Sequence, residues 1–81
     1  MAASLIYMTT TKTTTRRGRQ TETVTTITRG NGTAVQQVDR FYDGERTETY
    51  HWSIDVDGGC TRCDAAEFED WAEAASEAAA S

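Results

Sequence analysis

The clearest pattern along the chain is an alternation of apolar and polar residues between positions 49 and 56. Its apolar members are Tyr50, Trp52, Ile54 and Val56, and its polar members are Thr49, His51, Ser53 and Asp55. Because successive side chains of a strand point to opposite faces, this period of two predicts a strand over residues 46–56. We expect its apolar face to pack in the core and His51 to face solvent.

Three further β-rich segments precede this strand, and turns that contain glycine separate them. Residues that tolerate positive φ occur around Gly18, at Gly30-Asn31-Gly32 and at Asp43-Gly44, as short hairpin turns require. The predicted strands cover residues 4–15, 20–29, 33–42 and 46–56. Short turns between consecutive strands favour an antiparallel meander of four strands.

The second and third predicted strands lack the clean alternation of the fourth. Val24 and Ile27 are three residues apart, as are Val35, Val38 and Phe41, so neighbours fall on opposite faces. This spacing predicts either a β-bulge or a sheet with both faces partly covered. The threonine run at 9–15 favours a strand through β-branching, and a disordered threonine tract is the competing interpretation.

The end of the chain has the pattern of an amphipathic helix. Asp57-Gly58-Gly59 is expected to end the sheet, and Asp64 followed by Glu67 forms a capping box that opens a helix over residues 64–79. Phe68 and Trp71 share one arc of this helix with alanines. The predicted fold class is therefore α+β, a four-stranded antiparallel meander followed by one C-terminal helix, with Phe68 and Trp71 packed on Trp52 and Ile54.

Length and composition limit the organisation of the protein. A chain of 81 residues can form one small core, so we interpret residues 1–81 as a single domain. Large apolar residues are few for a monomer of this size, which keeps a homodimer as an alternative. The first residues have no basic segment and no apolar run of membrane-spanning length. We expect a cytoplasmic protein that does not contact membranes.

The two cysteines form a Cys-x-x-Cys pair, Cys60-Thr61-Arg62-Cys63, directly before the predicted helix. Structural zinc requires four ligands, and this pair supplies two, so a zinc site would need His51 with Asp57 or Asp64, or a second chain that shares the ion. A redox pair is disfavoured because Asp64 repels a thiolate and the chain has no proline. We expect thiols that fill the junction between sheet and helix, with no bound metal, no cofactor, no small-molecule substrate and no enzymatic activity.

Charge is distributed unevenly along the chain, which has a net charge of −5. From residue 64 onward there are six acids and no base, and four of these acids lie opposite Phe68 and Trp71. These four are the acidic stripe: Glu69, Asp70, Glu73 and Glu77. Like charges at i,i+4 are unfavourable within a helix, so local stability does not explain the stripe. It predicts contact with a basic surface of another protein, whereas solubility is the alternative explanation.

A second charged feature lies at the first predicted turn. Arg16, Arg17 and Arg19 surround Gly18 and form the basic hairpin. This cluster predicts a partner-binding turn, and phosphate binding is its alternative role. The negative net charge of the whole chain opposes the field that nucleic-acid-binding proteins project.

The outline of the chain resembles that of the small anti-CRISPR proteins of phages and prophages. The features that carry the resemblance are small size, acidity, the meander with its Gly30-Asn31-Gly32 and Asp43-Gly44 turns, and the helix that begins Asp64-Ala65-Ala66-Glu67. The resemblance implies an inhibitor that binds a Cas effector complex in the host cytoplasm and blocks DNA recognition or nuclease recruitment. Two other classes stay open: a zinc-assisted structural or dimerisation module, and a weak nucleic-acid-binding module that uses the basic hairpin.

Overall fold

The computed structural model describes residues 7–80, which form one antiparallel sheet and one helix. The elements are β1 (Met8–Arg17), β2 (Gln20–Arg29), β3 (Ala34–Tyr42), β4 (Glu45–Ile54), β5 (Cys60–Cys63) and α1 (Ala65–Ala80). Neighbouring strands in the sheet follow chain order from β1 to β5. The α+β class and the helix on the meander are confirmed, but the number of four strands is wrong. Residues 4–6 of the predicted first strand lie outside the described residues.

The additional strand begins where the sheet was expected to end. Gly58 adopts a φ of 87°, and its amide donates to the Asp55 carbonyl oxygen at 2.9 Å. The Asp55 amide in turn donates to the Gly59 carbonyl oxygen at 2.9 Å, which reverses the chain. β5 then pairs with β4 from His51 to Ile54. Four residues with one β-branched side chain carry too little pattern to reveal such a strand.

The hairpin turns have the conformations that their residues favour. Asp43 and Gly44 both have positive φ, 54° and 88°, as a type I′ turn requires. The threonine-rich β1 pairs with β2 over its whole length, from Met8 opposite Arg29 to Arg17 opposite Gln20. The interpretation of this run as a disordered tract is therefore wrong.

The helix begins at the predicted cap. The Asp64 Oδ1 atom accepts a hydrogen bond from the Glu67 amide at 3.0 Å, which satisfies one of the amides that the first helical turn leaves unpaired. Phe68 is buried against Ile27 and Val35, and Met8 and Trp71 pack on this cluster. The core therefore lies between α1 and the half of the sheet that contains the loop from β2 to β3.

The helix packs on the side of β4 opposite to the one predicted. Val35 lies opposite Ser53 and Gln37 lies opposite His51 in the sheet register, so Ser53 and His51 share the side that α1 covers. Trp52 and Ile54 point away from it, and the expected contact of Phe68 and Trp71 with Trp52 and Ile54 is wrong. The cause is the position of Ile27 and Val35, which pair directly and supply the apolar floor under the helix.

The irregular spacing in β2 and β3 reflects a sheet with apolar residues on both sides. Val24 pairs with Val38 and Ile27 pairs with Val35 without interruption, so the first pair lies on one side and the second on the other. A bulge does occur, but it lies between β3 and β4 at Arg40 and Phe41. We call the side opposite α1 the open face; its apolar and aromatic residues are Val24, Ala34, Val38, Tyr42, Tyr50, Trp52 and Ile54.

Candidate protein-binding surfaces

His51 is part of the contact between sheet and helix. It is 8% exposed, and its ring lies 5.5 Å from the ring of Phe68. The prediction of a histidine that faces solvent is therefore wrong. The error follows from the side of β4 on which α1 packs, because that side carries His51 and Ser53.

A chain of hydrogen bonds accounts for the burial of these polar groups. Gln37 Nε2 donates to Asp39 Oδ2 at 3.0 Å, and Thr49 Oγ1 donates to Asp39 Oδ1 at 2.8 Å. Because a carboxylate only accepts, the Gln37 amide nitrogen must face Asp39 and its oxygen must face His51. The His51 Nε2 atom, 3.1 Å from that oxygen, is therefore the donor. Arg46 adds a longer ion pair to Asp39 at 3.8 Å. The network stabilises buried polar side chains within the sheet.

The register of β5 separates the two cysteines. Cys63 lies opposite His51 on the helix side, whereas Cys60 lies opposite Ile54 on the open face. Two thiols on opposite faces of a strand cannot ligate one ion without distortion of the strand. Cys60 is exposed and Cys63 is half-buried, so the expectation that both thiols fill the junction is wrong for Cys60. Among residues 7–80, no three His, Cys, Asp or Glu side chains come together as metal ligands would.

The environment of Cys63 disfavours its thiolate. Partial burial raises the pKa of the Cys63 thiol, and the carboxylates of Glu67 and Asp64 raise it further. A thiol with a raised pKa stays protonated over a wider pH range, and the thiolate is the form that reacts or binds metal. The structure thus gives Cys63 the opposite of a redox-active environment.

The basic hairpin does not form one positive surface. Arg16 and Arg17 are consecutive in β1 and therefore point to opposite sides of the sheet. The Arg16 Nε atom donates to the Gly18 carbonyl oxygen at 3.2 Å, which ties this side chain to the turn. Arg19 lies in the turn itself. The guanidinium groups of Arg16 and Arg17 therefore lie on opposite sides of the sheet, which weakens the case for phosphate binding by this cluster.

The acidic stripe lies on the outer surface of α1. All four of its residues, Glu69, Asp70, Glu73 and Glu77, are exposed, while Phe68 on the other side of the helix is 7% exposed. The stripe and the basic hairpin are separate surfaces. From Thr10, which lines the groove beside α1, the chain runs eight residues to Gly18, about 26 Å at the rise of a strand.

The open face carries a cluster of aromatic and arginine side chains. The rings of Tyr50 and Trp52 lie 6.3 Å apart in an edge-to-face arrangement. The Arg62 guanidinium carbon lies 5.3 Å from the Tyr50 ring and 5.4 Å from the Trp52 ring, within cation–π range. Sequence reasoning missed this surface because it assigned Trp52 to the core. The sequence did contain a signal for this surface. Val24 lies three residues from Ile27, and Val38 lies three residues from Val35, so the spacing puts apolar residues on both sides of the sheet.

Arg40 extends this cluster across the sheet. Its Nε atom lies 3.0 Å from Glu22 Oε2 and its Nη1 atom lies 3.5 Å from Glu48 Oε2. Its guanidinium carbon also lies 5.5 Å from the Tyr50 ring. The open face therefore combines aromatic rings with ion pairs that run from β2 through β3 to β4.

Comparison of the chain with protein-family models, with curated proteins and with solved structures found no match. The single helix of residues 7–80 also falls short of the length and apolar character that a membrane crossing needs. Indications of function therefore lie in the surfaces of the molecule.

Proposed function

We propose that this chain is a non-enzymatic protein-binding protein whose acidic stripe contacts a basic surface of its partner. The observation that carries the proposal is the exposure of Glu69, Asp70 and Glu73 on the side of α1 that does not pack on the sheet. Complementary charge on a partner speeds association and sets its orientation. The stripe presents its carboxylates on one side of the helix, so negative charge is concentrated on one exposed surface.

The chemical class of partner follows from the charge. Protein surfaces with dense positive potential are commonly those that bind nucleic acid. We therefore place the partner among nucleic-acid-binding proteins or protein–nucleic acid complexes of the host cytoplasm. A chain that occupies such a surface competes with the nucleic acid and acts as a stoichiometric inhibitor. The resemblance to small anti-CRISPR proteins makes a Cas effector complex the first partner to test.

The test replaces Glu69, Glu73 and Glu77 with glutamine. A matched control replaces Asp43, Asp55 and Asp57, three exposed loop acids, with asparagine. Both variants change the net charge from −5 to −2. If the stripe is the contact, the helix variant should bind a purified Cas effector complex at least tenfold more weakly at low ionic strength, and the loop variant should bind nearly as tightly as wild type.

Salt dependence gives an independent readout. Added salt screens exposed charges, so the difference between wild type and the helix variant should shrink as ionic strength rises. Equal binding of both variants at low salt would refute the stripe as the contact. Absence of binding to any Cas effector complex would remove that partner, and capture of a different nucleic-acid-binding protein by wild type but not by the helix variant would retain the broader proposal.

A further inference from the structure

The open face is an apolar surface that no element of residues 7–80 covers. A sheet normally buries its apolar side against a second layer, and here α1 supplies that layer on one side only. Ala34 and Val38 on the open face are nevertheless 6% and 7% exposed, because side chains of neighbouring strands surround them. Tyr50, Trp52 and Ile54 above them are only partly buried. The open face therefore has buried apolar residues at its centre, as a core does, but no second layer from residues 7–80 packs against it.

The composition of this face is that of an interface centre. Trp, Tyr and Arg dominate the energetics of protein–protein interfaces. Tyr50, Trp52 and Arg62 contact one another here, and Arg40 lies over the Tyr50 ring from the other side. The rings are thus held in place before any partner arrives, which lowers the entropy lost on association.

The charge of the open face distinguishes it from the rest of the molecule. By register it carries three arginines and three glutamates: Arg17, Arg40, Arg62, Glu22, Glu45 and Glu48. These charges cancel, whereas the chain as a whole carries −5. Two copies of an anionic chain repel each other. This repulsion is weakest when they approach through their open faces, because the charges there cancel.

The positive and negative side chains of the open face are also complementary between two copies. Within residues 7–80, neither Arg62 nor Glu45 makes an ion pair. A two-fold symmetric contact uses the same patch on both chains, so it offers each unpaired arginine a glutamate of the other copy. A basic or acidic foreign surface would match only half of the face.

The size of the face suits a stable dimer. Four strands of nine or ten residues and the short β5 span about 33 Å by about 19 Å at standard strand rise and spacing. The projected area is about 600 Å², and the side-chain surface exceeds it. A standard interface uses about 800 Å² per partner. The open face is therefore of the scale that a specific contact needs.

We propose that a second copy of this chain covers the open face, so that two sheets pack face to face with both helices outside. Sheets packed in this way lie about 10 Å apart, and side chains of their inner faces interdigitate. Trp52 and Tyr50 of both copies form the centre of the interface. The acidic stripes lie on the two outer surfaces, so the dimer leaves them accessible. This inference does not depend on the partner proposed for the stripe.

The experiment measures the oligomeric state of the full chain by light scattering and by sedimentation between 1 and 200 μM, roughly the range of moderate dimer affinities. Wild type should reach twice the 8.9 kDa mass of one chain. Trp52→Lys and Arg62→Glu should each weaken dimerisation at least tenfold. Thr14→Lys adds the same charge on the helix side of β1 and should dimerise as wild type does. Circular dichroism establishes that each variant is folded.

Fluorescence locates the contact. In a Trp71→Phe background, Trp52 is the only tryptophan, and its emission should shift to shorter wavelength as concentration rises. A wild-type chain that is monomeric at 200 μM overturns the proposal and assigns the face to another protein. A dimer that persists in folded Trp52→Lys also overturns it. So does a dimer that leaves Trp52 emission unchanged while protecting β1 amides from exchange, because that result places the contact at the sheet edge.

Discussion

At the scale of single residues, Trp71 contributes to the fold through more than apolar area. The Arg29 guanidinium carbon lies 3.9 Å from the centre of the Trp71 ring, a short cation–π distance. Arg29 is exposed and Trp71 is half-buried, so the arginine stem and its charge close the rim of the core where β2 ends. The helical pattern predicted Trp71 in the core, but no pattern in the sequence indicated a role for Arg29.

Cys63 provides a prediction at the residue scale. Its pKa is raised first by burial and then by the charge and hydrogen bond of Glu67. Glu67→Gln removes that charge, so the pKa of Cys63 should fall toward its ordinary value. Alkylation rates measured against pH in a Cys60→Ser background should then show the reactive thiolate appearing at lower pH than with Glu67 present.

The control for this prediction is Cys60 in a Cys63→Ser background. Cys60 lies on the open face, away from Glu67, so its alkylation profile should be the same with and without Glu67→Gln. A profile for Cys63 that does not move would show that burial and the charge of Asp64, and not Glu67, hold its pKa up. The double change of Cys60 and Cys63 to serine should leave the fold intact, since no bond joins the two sulfurs.

At the scale of elements, α1 depends on its cap and on the sheet. The Asp64 carboxylate accepts from the Glu67 amide at 3.0 Å and places negative charge at the positive end of the helix dipole. The C-terminal end has no basic residue in its last turn. The helix therefore relies on its first turn for electrostatic stabilisation and on Phe68 for packing.

The cap leads to a prediction for Asp64→Ala. Loss of an N-cap side chain typically costs about 0.5–2 kcal/mol, and the free energy of unfolding should fall by that amount in urea denaturation. Asp64→Ser keeps an acceptor at the same position and should recover most of the loss. Equal stability of Asp64→Ala and wild type would mean that the packing of Phe68 sets the start of the helix by itself.

At the scale of the whole molecule, the two layers form one cooperative unit. Ile27 and Val35 are 2% and 0% exposed, and Phe68 of the helix completes their burial. Within residues 7–80, α1 is the only element that covers this side of the sheet. The sheet and α1 should therefore unfold together.

Truncation tests this cooperativity. A chain that ends at residue 63 lacks Phe68 and exposes the floor of the core, so we expect it to lose the cooperative thermal transition seen for the full chain. A chain that ends at residue 77 keeps Phe68, Trp71 and Ala75 and should retain the transition at slightly lower temperature. A sharp melt of the shorter chain would show that the open face alone organises the sheet.

Local chemistry determined β1 to β4 and the helix of this protein, but not β5. Asp43-Gly44 accepts positive φ, threonine favours extended backbone, and Asp64 caps a helix that spans residues 65–80, so the hairpins and the helix could be predicted from neighbouring residues. The acidic stripe follows from helical periodicity in the same way. Each of these features depends on residues that are close together along the chain.

The tertiary structure decided which side of the sheet α1 covers. Alternation in β4 separates Trp52 from His51 but does not say which of them meets the helix, because that choice depends on Ile27 and Val35 of other strands. The register of the sheet then determines, for every strand, which side chains face the helix. As a result His51 is buried, Trp52 lies on the open face, and the two cysteines point apart. The surface that we assign to dimerisation therefore arises from packing between distant residues.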